Sequence, residues 1–356
     1  MDRALELAAR GLFTAPPNPR VGCVVVRDGV VLGEGFHVRP GSAHAEVDAL
    51  ADVRSRGHDT RGATLYVTLE PCNHHGRTPP CADAIIDAGI ARVVAAMADP
   101  HAIAGGGADR LRAAGIVVDV GLGADVALDL NAGFVSRVTR GRPWVRLKIA
   151  GSLDGRTALH NGESQWITGA EARADGHAWR ARACAILTGI GTVLHDDPRM
   201  TVRDVETPRQ PLRVIVDRHG QTPASARILE GAGTLIVTAG ERNNAWPAQV
   251  DTLSIPDAHG RVDLAAMLQA LGAREINELH VEAGARLNGA LLEAGLVDEL
   301  LVYVAPRVIG DPARGFFERP TALNSLAGTE NFEWHDVHRV GADLRLRLRH
   351  AVPGAT

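Results

Sequence analysis

The most constraining feature of the sequence is a regular alternation of strand-like and helix-like segments, which runs twice along the chain. In the first run, the apolar stretches VGCVVV and VVLGEGFHV are separated by Arg27-Asp28-Gly29 and predict a β-hairpin. Segments with helical spacing and short apolar strands then follow in turn, as far as DVALDLNAGFVSRVTRG. This β-β-α-β-α-β order predicts a mostly parallel sheet in a three-layer α/β/α arrangement.

A second run of the same kind begins after Gly141-Arg142-Pro143, where glycine and proline interrupt the pattern. It opens with the strand-like segment WVRLKIAGSLDG and ends in EWHDVHRVGADLRLRLRH, which alternates like a hairpin with a glycine turn. A chain of 356 residues is long enough for two domains of about 100–200 residues each. We therefore expect one α/β domain over residues 1–142 and a second over residues 143–356.

The composition narrows the classes of function. The formal net charge is −4, which gives no support for a nucleic-acid or membrane-surface partner, because both favour a basic excess. The N-terminal segment MDRALELAARGL does not have the pattern of a signal peptide, and no apolar run approaches the roughly 20 residues of a membrane span. We expect a cytoplasmic protein with small-molecule substrates, in which the four cysteines serve metal binding or catalysis.

A set of metal-binding residue types stands at the junctions of predicted strands and helices. His44 opens the second predicted helix, Cys72 follows the strand TLYVTL, and Cys81 starts the next helix. Three protein ligands leave a fourth tetrahedral position for water, which is typical of a catalytic zinc ion. Such an ion lowers the pKa of water to about 7. Glu46 is expected to be the catalytic residue that takes a proton from this water and passes it to a leaving amine, as in zinc-dependent base deaminases.

The spacing of the two cysteines departs from the pattern of those deaminases, in which two residues separate the cysteines. Here the segment Asn73–Pro80 intervenes and contributes His74, His75 and Arg77. Because both ends of this segment are expected ligands, it must lie beside the metal. Its polar side chains favour a substrate with an anionic or polar part.

Other interpretations of these residues stay open at this point. A structural zinc ion would need a fourth protein ligand, and His74 or His75 could supply it. Cys23 lies in an apolar strand and Cys184 in an apolar run, where we expect buried small side chains and not ligands.

Several longer motifs resemble those of one family. In the first half, the motifs are Pro17-Asn18-Pro19-Arg20-Val21-Gly22-Cys23, Gly33-Glu34-Gly35-Phe36-His37, His44-Ala45-Glu46 and the segment from Thr68 to Cys81. In the second half, they are the segments Ser152–Arg156, Gly162–Thr168, Asp196–Pro198 and Val281–Gly284. With these motifs the sequence resembles the bifunctional deaminase–reductase of riboflavin biosynthesis, and the insert before Cys81 is specific to that family among cytidine-deaminase-like proteins.

The resemblance implies a cytidine-deaminase-like N-terminal domain and a dihydrofolate-reductase-like C-terminal domain. The first would use Zn²⁺ to remove by hydrolysis the 2-amino group of 2,5-diamino-6-(5-phosphoribosylamino)pyrimidin-4(3H)-one. The second would use NADPH to reduce the ribosyl side chain to ribityl, giving 5-amino-6-(5-phosphoribitylamino)uracil. The family also implies a homo-oligomer, either a dimer or a tetramer.

The resemblance further implies residues that contact the substrates. In the deaminase, these are Asn18, His37, His74 and Arg77. An arginine suits a phosphate group because its planar fork can bind two oxygens at once. In the reductase, the expected substrate contacts are Ser164, Arg180, Arg199, Met200, Arg203 and Glu282, together with Lys148 and Asp154.

The expected cofactor contacts include one segment that the sequence itself indicates. From Gly284, the chain passes through a glycine turn into a helix, whose first N–H groups would suit a pyrophosphate. The missing Gly-x-Gly-x-x-Gly fingerprint argues against a Rossmann domain. The full set is Ala150, Trp166, Thr192, Asp196, Gly284, Ala285, Arg286, Leu287, Asn288, Gly289 and Ala290, with Arg218 as a candidate for the 2′-phosphate of NADP.

Lys148 is the single lysine of the chain. In a strand it would lie on the same face as Arg146 and Ala150, because alternate residues share a face. If that face looks into the reductase site, Lys148 would contact the substrate or take part in proton transfer.

Two other functions were weighed against the bifunctional enzyme. One is a nucleobase or tRNA deaminase with a non-catalytic binding module at its C-terminus, but aromatic residues make up only 4% of the chain and stacking sites need them. The other is a zinc-stabilised interaction protein without turnover. The presence of Glu46, the expected proton-transfer residue, argues against this function.

Overall fold

A computed structural model describes residues 1–74, 79–101, 104–310 and 312–350. The chain divides into two compact units, Met1–Gly141 and Arg142–Thr356. The boundary predicted between residues 142 and 143 lies next to this division and stays a prediction. None of the helices in the described ranges is long and apolar enough to cross a membrane.

The first unit is built on a five-stranded sheet in the order β2-β1-β3-β4-β5. Strands β1 and β2 form the predicted hairpin, β1 is antiparallel to β3, and β3, β4 and β5 are parallel. The strands are β1 (Gly22–Arg27), β2 (Val30–Phe36), β3 (Thr64–Val67), β4 (Arg92–Ala95) and β5 (Val117–Val120). The helices are α1 (Asp2–Arg10), α2 (Ala45–Ser55), α3 (Cys81–Asp87), α4 (Gly107–Ala113) and α5 (Ala124–Arg140).

Helix α2 packs directly on the hairpin, because two glycines of β2 leave room for its backbone. A Cβ atom on Gly35 would overlap the backbone nitrogen of Ala49, and one on Gly33 would lie 2.6 Å from the backbone nitrogen of Val53. The small buried side chains of Ala45 and Ala49 complete this contact. The beginning of α2 is thereby fixed against the sheet.

The second unit contains a nine-stranded sheet in the order β11-β10-β9-β8-β12-β6-β13-β16-β15. It is parallel from β11 to β13, and β16 and β15 extend it as an antiparallel pair. The strands of this unit are β6 (Trp144–Ser152), β7 (Arg156–Ala158), β8 (Ala185–Gly189), β9 (Leu212–Val216), β10 (Thr234–Thr238), β11 (Val250–Ser254), β12 (Glu278–Val281), β13 (Glu299–Ala305), β14 (Arg314–Gly315), β15 (Phe332–Val340) and β16 (Asp343–His350). Of these, β7 and β14 form a separate antiparallel pair. The helices are α6 (Ala170–Arg182), α7 (Ile190–Asp196), α8 (Leu264–Ala273) and α9 (Ala285–Glu293).

The two faces of β6 have opposite character. Val145, Leu147 and Ile149 belong to the main apolar core of the second unit. Arg146 and Lys148 alternate with them and therefore point to the other side of the sheet, where the Arg146 guanidinium lies 4.4 Å from the ring centroid of Trp179 on α6. Lys148 on this charged face also lines a cavity of the second unit, which is described below.

The predicted fold class is confirmed for both halves, and the predicted order of elements for the first. In the second half, the segment AILTGIGTV contains both β8 and the short helix α7. The short strands β7, β11 and β14 were not predicted, and β11 is a polar segment that pairs with β10 at the edge of the sheet.

Candidate functional site

Three chain segments bring His44, Cys72 and Cys81 together in the first unit. His44 is the N-cap residue of α2, Cys72 lies just beyond the carboxyl end of β3, and Cys81 is the first residue of α3. In the described part of the chain, these three residues form the one cluster of histidine, cysteine and acidic side chains that could hold a metal ion. Their ligand atoms all lie within 4.8 Å of one another.

The distances within this cluster fit a tetrahedral zinc ion. The Nδ1 atom of His44 lies 3.1 Å from Sγ of Cys81 and 3.6 Å from Sγ of Cys72. Ligands at about 2.0–2.3 Å from a tetrahedral zinc ion are themselves roughly 3.3–3.8 Å apart. His74 does not join the cluster, and His75 lies outside the described residues. Among the described residues, the donor set of one imidazole and two thiols therefore fits a zinc ion with one position left for a small molecule.

The surroundings of Cys72 favour its ionised form. A hydrogen bond with the Cys81 side chain and the neighbouring His44 lower the pKa of the Cys72 thiol to about 4. The resulting thiolate and the burial of Cys81 raise the pKa of the second thiol. A thiolate is the form of cysteine that binds metals.

Glu46 lies in the first turn of α2, two residues after His44, and is only 4% exposed. Burial raises the pKa of its carboxyl group from the usual value near 4.5 to about 7. It is not part of the ligand cluster. A buried carboxyl beside the metal ligands is suited to exchanging protons with a reacting molecule.

Two of the four expected substrate contacts of the deaminase stand next to this cluster. The side-chain nitrogen of Asn18 lies 3.0 Å from Nε2 of His37, and Nδ1 of His37 lies 3.0 Å from the Ala43 carbonyl. The His37 and His44 rings meet edge to face, with centroids 5.7 Å apart. His74 is half-buried, and its Nδ1 atom has no hydrogen-bond partner among the described residues. Arg77 lies outside the described residues.

A second site occupies a large cavity of about 1140 Å³ in the second unit. Most of the residues expected to contact cofactor or reductase substrate line it. They are Lys148, Ala150, Ser164, Trp166, Thr192, Asp196, Glu282, Gly284, Ala285, Arg286, Leu287 and Asn288.

At one wall of the cavity, Glu282 is surrounded by cations. Arg180 donates two hydrogen bonds to its carboxylate, from Nε at 2.5 Å and from Nη2 at 2.9 Å. The Nζ atom of Lys148 lies 3.8 Å from the same carboxylate. Although burial opposes ionisation, Arg180 and Lys148 hold the pKa of Glu282 well below its usual range. Burial also lowers the pKa of Lys148.

Other expected residues are not among the described residues that line this cavity. Arg180 donates to the cavity-lining residue Glu282, and Arg203 donates its backbone N–H to His177. Arg199 pairs with Glu230 at 3.2 Å, between half-exposed side chains. Met200 is 4% exposed and packs in an apolar cluster.

The remaining four residues of that group have structural contacts of their own. Arg218 is exposed and donates to the carbonyls of Gly260 and His259. Asp154 accepts hydrogen bonds from Ser152 and from the backbone of Ile309 and Gly310. Gly289 and Ala290 lie in α9, beyond its first turn, and a Cβ atom on Gly289 would overlap the carbonyl oxygen of Glu318.

The beginning of α9 has the features of an anion site within the cavity. The first N–H groups of a helix have no carbonyl partner inside the helix, and here they belong to the cavity-lining residues Ala285, Arg286 and Leu287. The backbone N–H donors of this turn and the size of the cavity fit a dinucleotide with a pyrophosphate at the helix N-terminus.

Sequence reasoning missed several residues of both sites. His195, Arg173 and Arg314 line the cavity, and the Arg173 guanidinium lies 4.5 Å from the Trp166 ring centroid. In the first unit, Glu70 accepts three backbone hydrogen bonds next to Cys72. Its position two residues before a cysteine ligand was the signal that could have drawn attention to it.

Comparisons with known protein families match both units. Residues 1–97 match the cytidine and deoxycytidylate deaminase zinc-binding region, and residues 143–346 match the RibD C-terminal domain. The zinc-binding region includes all three residues of the ligand cluster and Glu46.

Full-length relatives carry the same name. The chain is 49% identical to riboflavin biosynthesis protein RibD of Escherichia coli K12, over 98% of each chain. It is 43% identical to RibD of Aquifex aeolicus, over 97% of this chain and 96% of the relative.

Solved structures agree in both fold and length. RibD of Acinetobacter baumannii has a TM-score of 0.89 at 43% identity, covering 99% of this chain and 98% of that one. A Thermotoga maritima protein, described as a diaminohydroxyphosphoribosylaminopyrimidine deaminase/5-amino-6-(5-phosphoribosylamino)uracil reductase, has a TM-score of 0.90 at 36% identity, covering 99% and 97% of the two chains. The chain thus belongs to the RibD family of riboflavin biosynthesis proteins and is an enzyme with both deaminase and reductase activity.

Proposed function

We propose that this chain carries out two consecutive reactions on a phosphoribosylated pyrimidine. The first unit removes by hydrolysis the 2-amino group of 2,5-diamino-6-(5-phosphoribosylamino)pyrimidin-4(3H)-one. The second unit reduces the ribosyl side chain of the product to ribityl with NADPH. The observation that carries the proposal is the convergence of His44, Cys72 and Cys81 beside Glu46, in one chain with the Glu282 cavity.

In the deamination, His44, Cys72 and Cys81 would hold the zinc ion. When bound, zinc lowers the pKa of water so that a nucleophile forms near neutral pH. The Glu46 carboxylate accepts a proton from the attacking water and delivers it to the departing amino nitrogen. The water oxygen becomes the new carbonyl oxygen, the second proton of the water ends on the adjacent ring nitrogen, and ammonia leaves.

Asn18 and His37 would orient the pyrimidine at this centre. Their side chains are in contact with each other, and the His37 ring lies against His44. An amide and an imidazole can both donate to and accept from the edge of a base. His74 and Arg77 belong to the proposal as contacts to the polar part of the substrate.

In the reductase, the nicotinamide cofactor would supply a hydride to C1′ of the ribosyl group. The C1′–O4′ bond would break, and O4′ would take up a proton to become a hydroxyl group of the ribityl chain. Ala150, Trp166, Thr192, Asp196 and the first turn of α9 would hold the cofactor, as lining residues of the cavity. Arg218, Gly289 and Ala290 stay predicted contacts. The preference for NADPH over NADH also belongs to the proposal.

The charged wall of the cavity would bind the second substrate. Glu282 is held ionised by Arg180 and Lys148, so its carboxylate can accept hydrogen bonds from sugar hydroxyl groups. Lys148 and Ser164 line the same cavity and can donate to the substrate. Arg180, Arg199, Met200, Arg203 and Asp154 stay predicted contacts.

Three further statements about the molecule in the cell belong to the proposal. They are a cytoplasmic location, the absence of a nucleic-acid partner, and assembly into a dimer or tetramer. The net charge of −4 supports the second statement.

The deciding experiment follows the substrate through both steps. The purified chain is incubated with the diaminopyrimidine substrate, with and without NADPH, and the products are identified by mass spectrometry. We expect the deaminated product without NADPH and the ribityl product with it. A deaminated product that is not reduced in either reaction would contradict the assignment of the second unit.

A further inference from the structure

The carboxylate of Glu70 lies at the meeting point of two chain segments in the first unit. Glu70 is 8% exposed, and Cys72 follows it by two residues. Its Oε2 atom accepts a hydrogen bond from the backbone of Asp99 at 3.0 Å. Its Oε1 atom accepts two more, from Gly106 at 3.1 Å and Ala108 at 2.9 Å. One buried side chain thereby satisfies three backbone donors.

Two of these donors belong to the beginning of α4. The N-cap residue of this helix is Gly106, in a left-handed conformation with φ of 88°, and glycine has no side chain to cap the helix. Glu70 supplies the missing acceptor from a distant part of the sequence. The start of α4 is therefore tied to the end of β3 by a charge-assisted hydrogen-bond pair.

The same two segments touch on both sides of the cysteine ligand. A Cβ atom on Gly107 would overlap the carbonyl oxygen of Pro71, so this position requires glycine for the close approach. On the other side, the backbone N–H of Asn73 donates to the Ala104 carbonyl at 2.9 Å. Both chain neighbours of Cys72 thus contact residues 104–107. The proline ring of Pro71 fixes its φ angle and limits how far the backbone before Cys72 can move.

We propose that Glu70 is a positioning residue for the metal centre: by joining the end of β3 to the start of α4, it holds Sγ of Cys72 at ligand distance from His44 and Cys81. This inference rests on the proposed zinc site. Groups that orient metal ligands without touching the metal commonly change its affinity by about 10- to 100-fold when removed. Glu70 acts on Cys72 through the backbone.

The test compares zinc affinity in Glu70→Ala and Glu70→Gln with that of the unsubstituted chain. Zn²⁺ is titrated alone against a competing chromogenic chelator, well below the unfolding temperature. Glu70→Ala removes the acceptor of three backbone donors, of which Ala108 is buried, and we expect zinc affinity to fall by about tenfold or more. Glu70→Gln keeps an acceptor oxygen, and its zinc affinity should lie between that of Glu70→Ala and that of the unsubstituted chain. Deaminase activity should follow zinc affinity, while reductase activity stays within about twofold.

A second variant tests the same contact without touching the carboxylate. Gly107→Ala forces the start of α4 away from Pro71, because a Cβ atom has no room there. We expect weaker zinc binding here too, in the same direction as for Glu70→Ala. Asp109→Asn, on the same helix, removes an exposed ion pair with Arg112 and should leave zinc affinity unchanged.

A final control separates positioning from loss of stability. Val25 lies in the core of the first unit, with 0% exposure, and Val25→Ala lowers stability there without touching the contact between the segments. The proposal is overturned if Val25→Ala weakens zinc binding as much as Glu70→Ala does. It is also overturned if Glu70→Ala binds zinc within about twofold of the unsubstituted chain, or loses reductase activity to the same extent. An unsubstituted chain that binds no zinc would instead refute the proposed function itself.

Discussion

Arg180 and Glu282 form a two-point contact across the wall of the reductase cavity, with the guanidinium Nε 2.5 Å and Nη2 2.9 Å from the two carboxylate oxygens. Both side chains are only 15% exposed. The geometry fixes the orientation of the carboxylate as well as its charge. The guanidinium of Arg180 donates to Glu282 and to the Thr201 carbonyl. We therefore expect Arg180 to act on a substrate by orienting the Glu282 carboxylate.

Glu282→Gln should impair reduction and spare deamination. The substitution keeps the shape of the side chain but removes the charge that Arg180 and Lys148 share. A hydrogen bond to a charged group contributes about 1.5–3 kcal/mol, so we expect kcat/KM of the reductase to fall by roughly 10- to 100-fold. Steady-state kinetics of both activities on one preparation give the answer.

Glu206→Gln is the matched control, because Glu206 is an exposed carboxylate of the same unit. It should leave both activities unchanged. An equal loss of deaminase and reductase activity in Glu282→Gln would show that the division of labour between the two units is wrong.

Lys148 should give the reductase an alkaline limb in its pH profile. Burial lowers the pKa of Lys148 from its usual value of 10.5. A reaction that uses the ammonium form is supported at low pH and is lost as pH rises through this lowered pKa. We therefore expect kcat/KM to decline as pH rises, with the midpoint of the decline at a pH below 10.5.

Two variants check this origin of the limb. Lys148→Met should be slower and lack the limb. Glu282→Gln should move the limb to lower pH, because the Glu282 carboxylate raises the pKa of Lys148. A limb that stays at the same pH in both variants would assign it to another group.

The fold and the metal cluster could both be predicted from the sequence, because both depend on local patterns. Strands and helices alternate with a clear period, and His44, Cys72 and Cys81 stand at strand–helix junctions, where a parallel arrangement brings segments together. The order of elements could therefore be predicted. The cluster itself was predicted as a set of ligands, and its distances fit that hypothesis.

Contacts that join distant segments could not be predicted in the same way. Glu70 meets Asp99, Gly106 and Ala108 across 29 to 38 residues of sequence, and no spacing rule signals such a contact. Asp154 accepts hydrogen bonds from the backbone of Ile309 and Gly310, more than 150 residues away in the sequence. Residue type alone does not predict such a backbone contact.

Glu46→Gln should keep the metal and lose deamination. Glu46 is outside the ligand cluster, so zinc content should be unchanged. A positioned proton-transfer group contributes about 10²- to 10⁴-fold to rate, and the amide cannot accept a proton from water. We expect a loss of that size in deaminase kcat, with reductase activity retained.

Asp87→Asn serves as its control, since Asp87 is an exposed carboxylate at the end of α3. It should behave as the unsubstituted chain in both assays. Deamination at the normal rate by Glu46→Gln would remove Glu46 from the proposed mechanism.

Removal of the metal should separate the two activities. One ligand cluster in the described residues predicts about one zinc per chain, measured by atomic emission on the purified protein. A chelator should abolish deamination, because the thiolates and the imidazole release the ion. The reductase should keep its rate, and Zn²⁺ added back should restore deamination. Loss of both activities on chelation would contradict the assignment of zinc to the first unit alone.

Arg146→Met should destabilise the second unit, because Arg146 is fully buried between two carboxylates. Its guanidinium lies 2.9 Å from Glu278 and 3.1 Å from Glu299, and all three side chains have 0% exposure. Removing one partner of a buried ion pair costs about 3–5 kcal/mol. Arg182 and Arg347 stay within 2.8 Å of the two carboxylates, so we expect a loss of about 3 kcal/mol in the free energy of unfolding, near the lower end of that range.

The tryptophans make this loss measurable in the full chain. All five are at position 144 or beyond, so tryptophan fluorescence during urea unfolding reports on the second unit. Arg261→Met is the matched control: its ion pair with Asp257 at 2.9 Å involves an arginine side chain that is 59% exposed, and an exposed pair contributes only about 0.2–1 kcal/mol. Because the same substitution is made at both positions, the difference between the variants measures the effect of burial. Equal losses in the two variants would show that the buried charges of this sheet do not depend on Arg146.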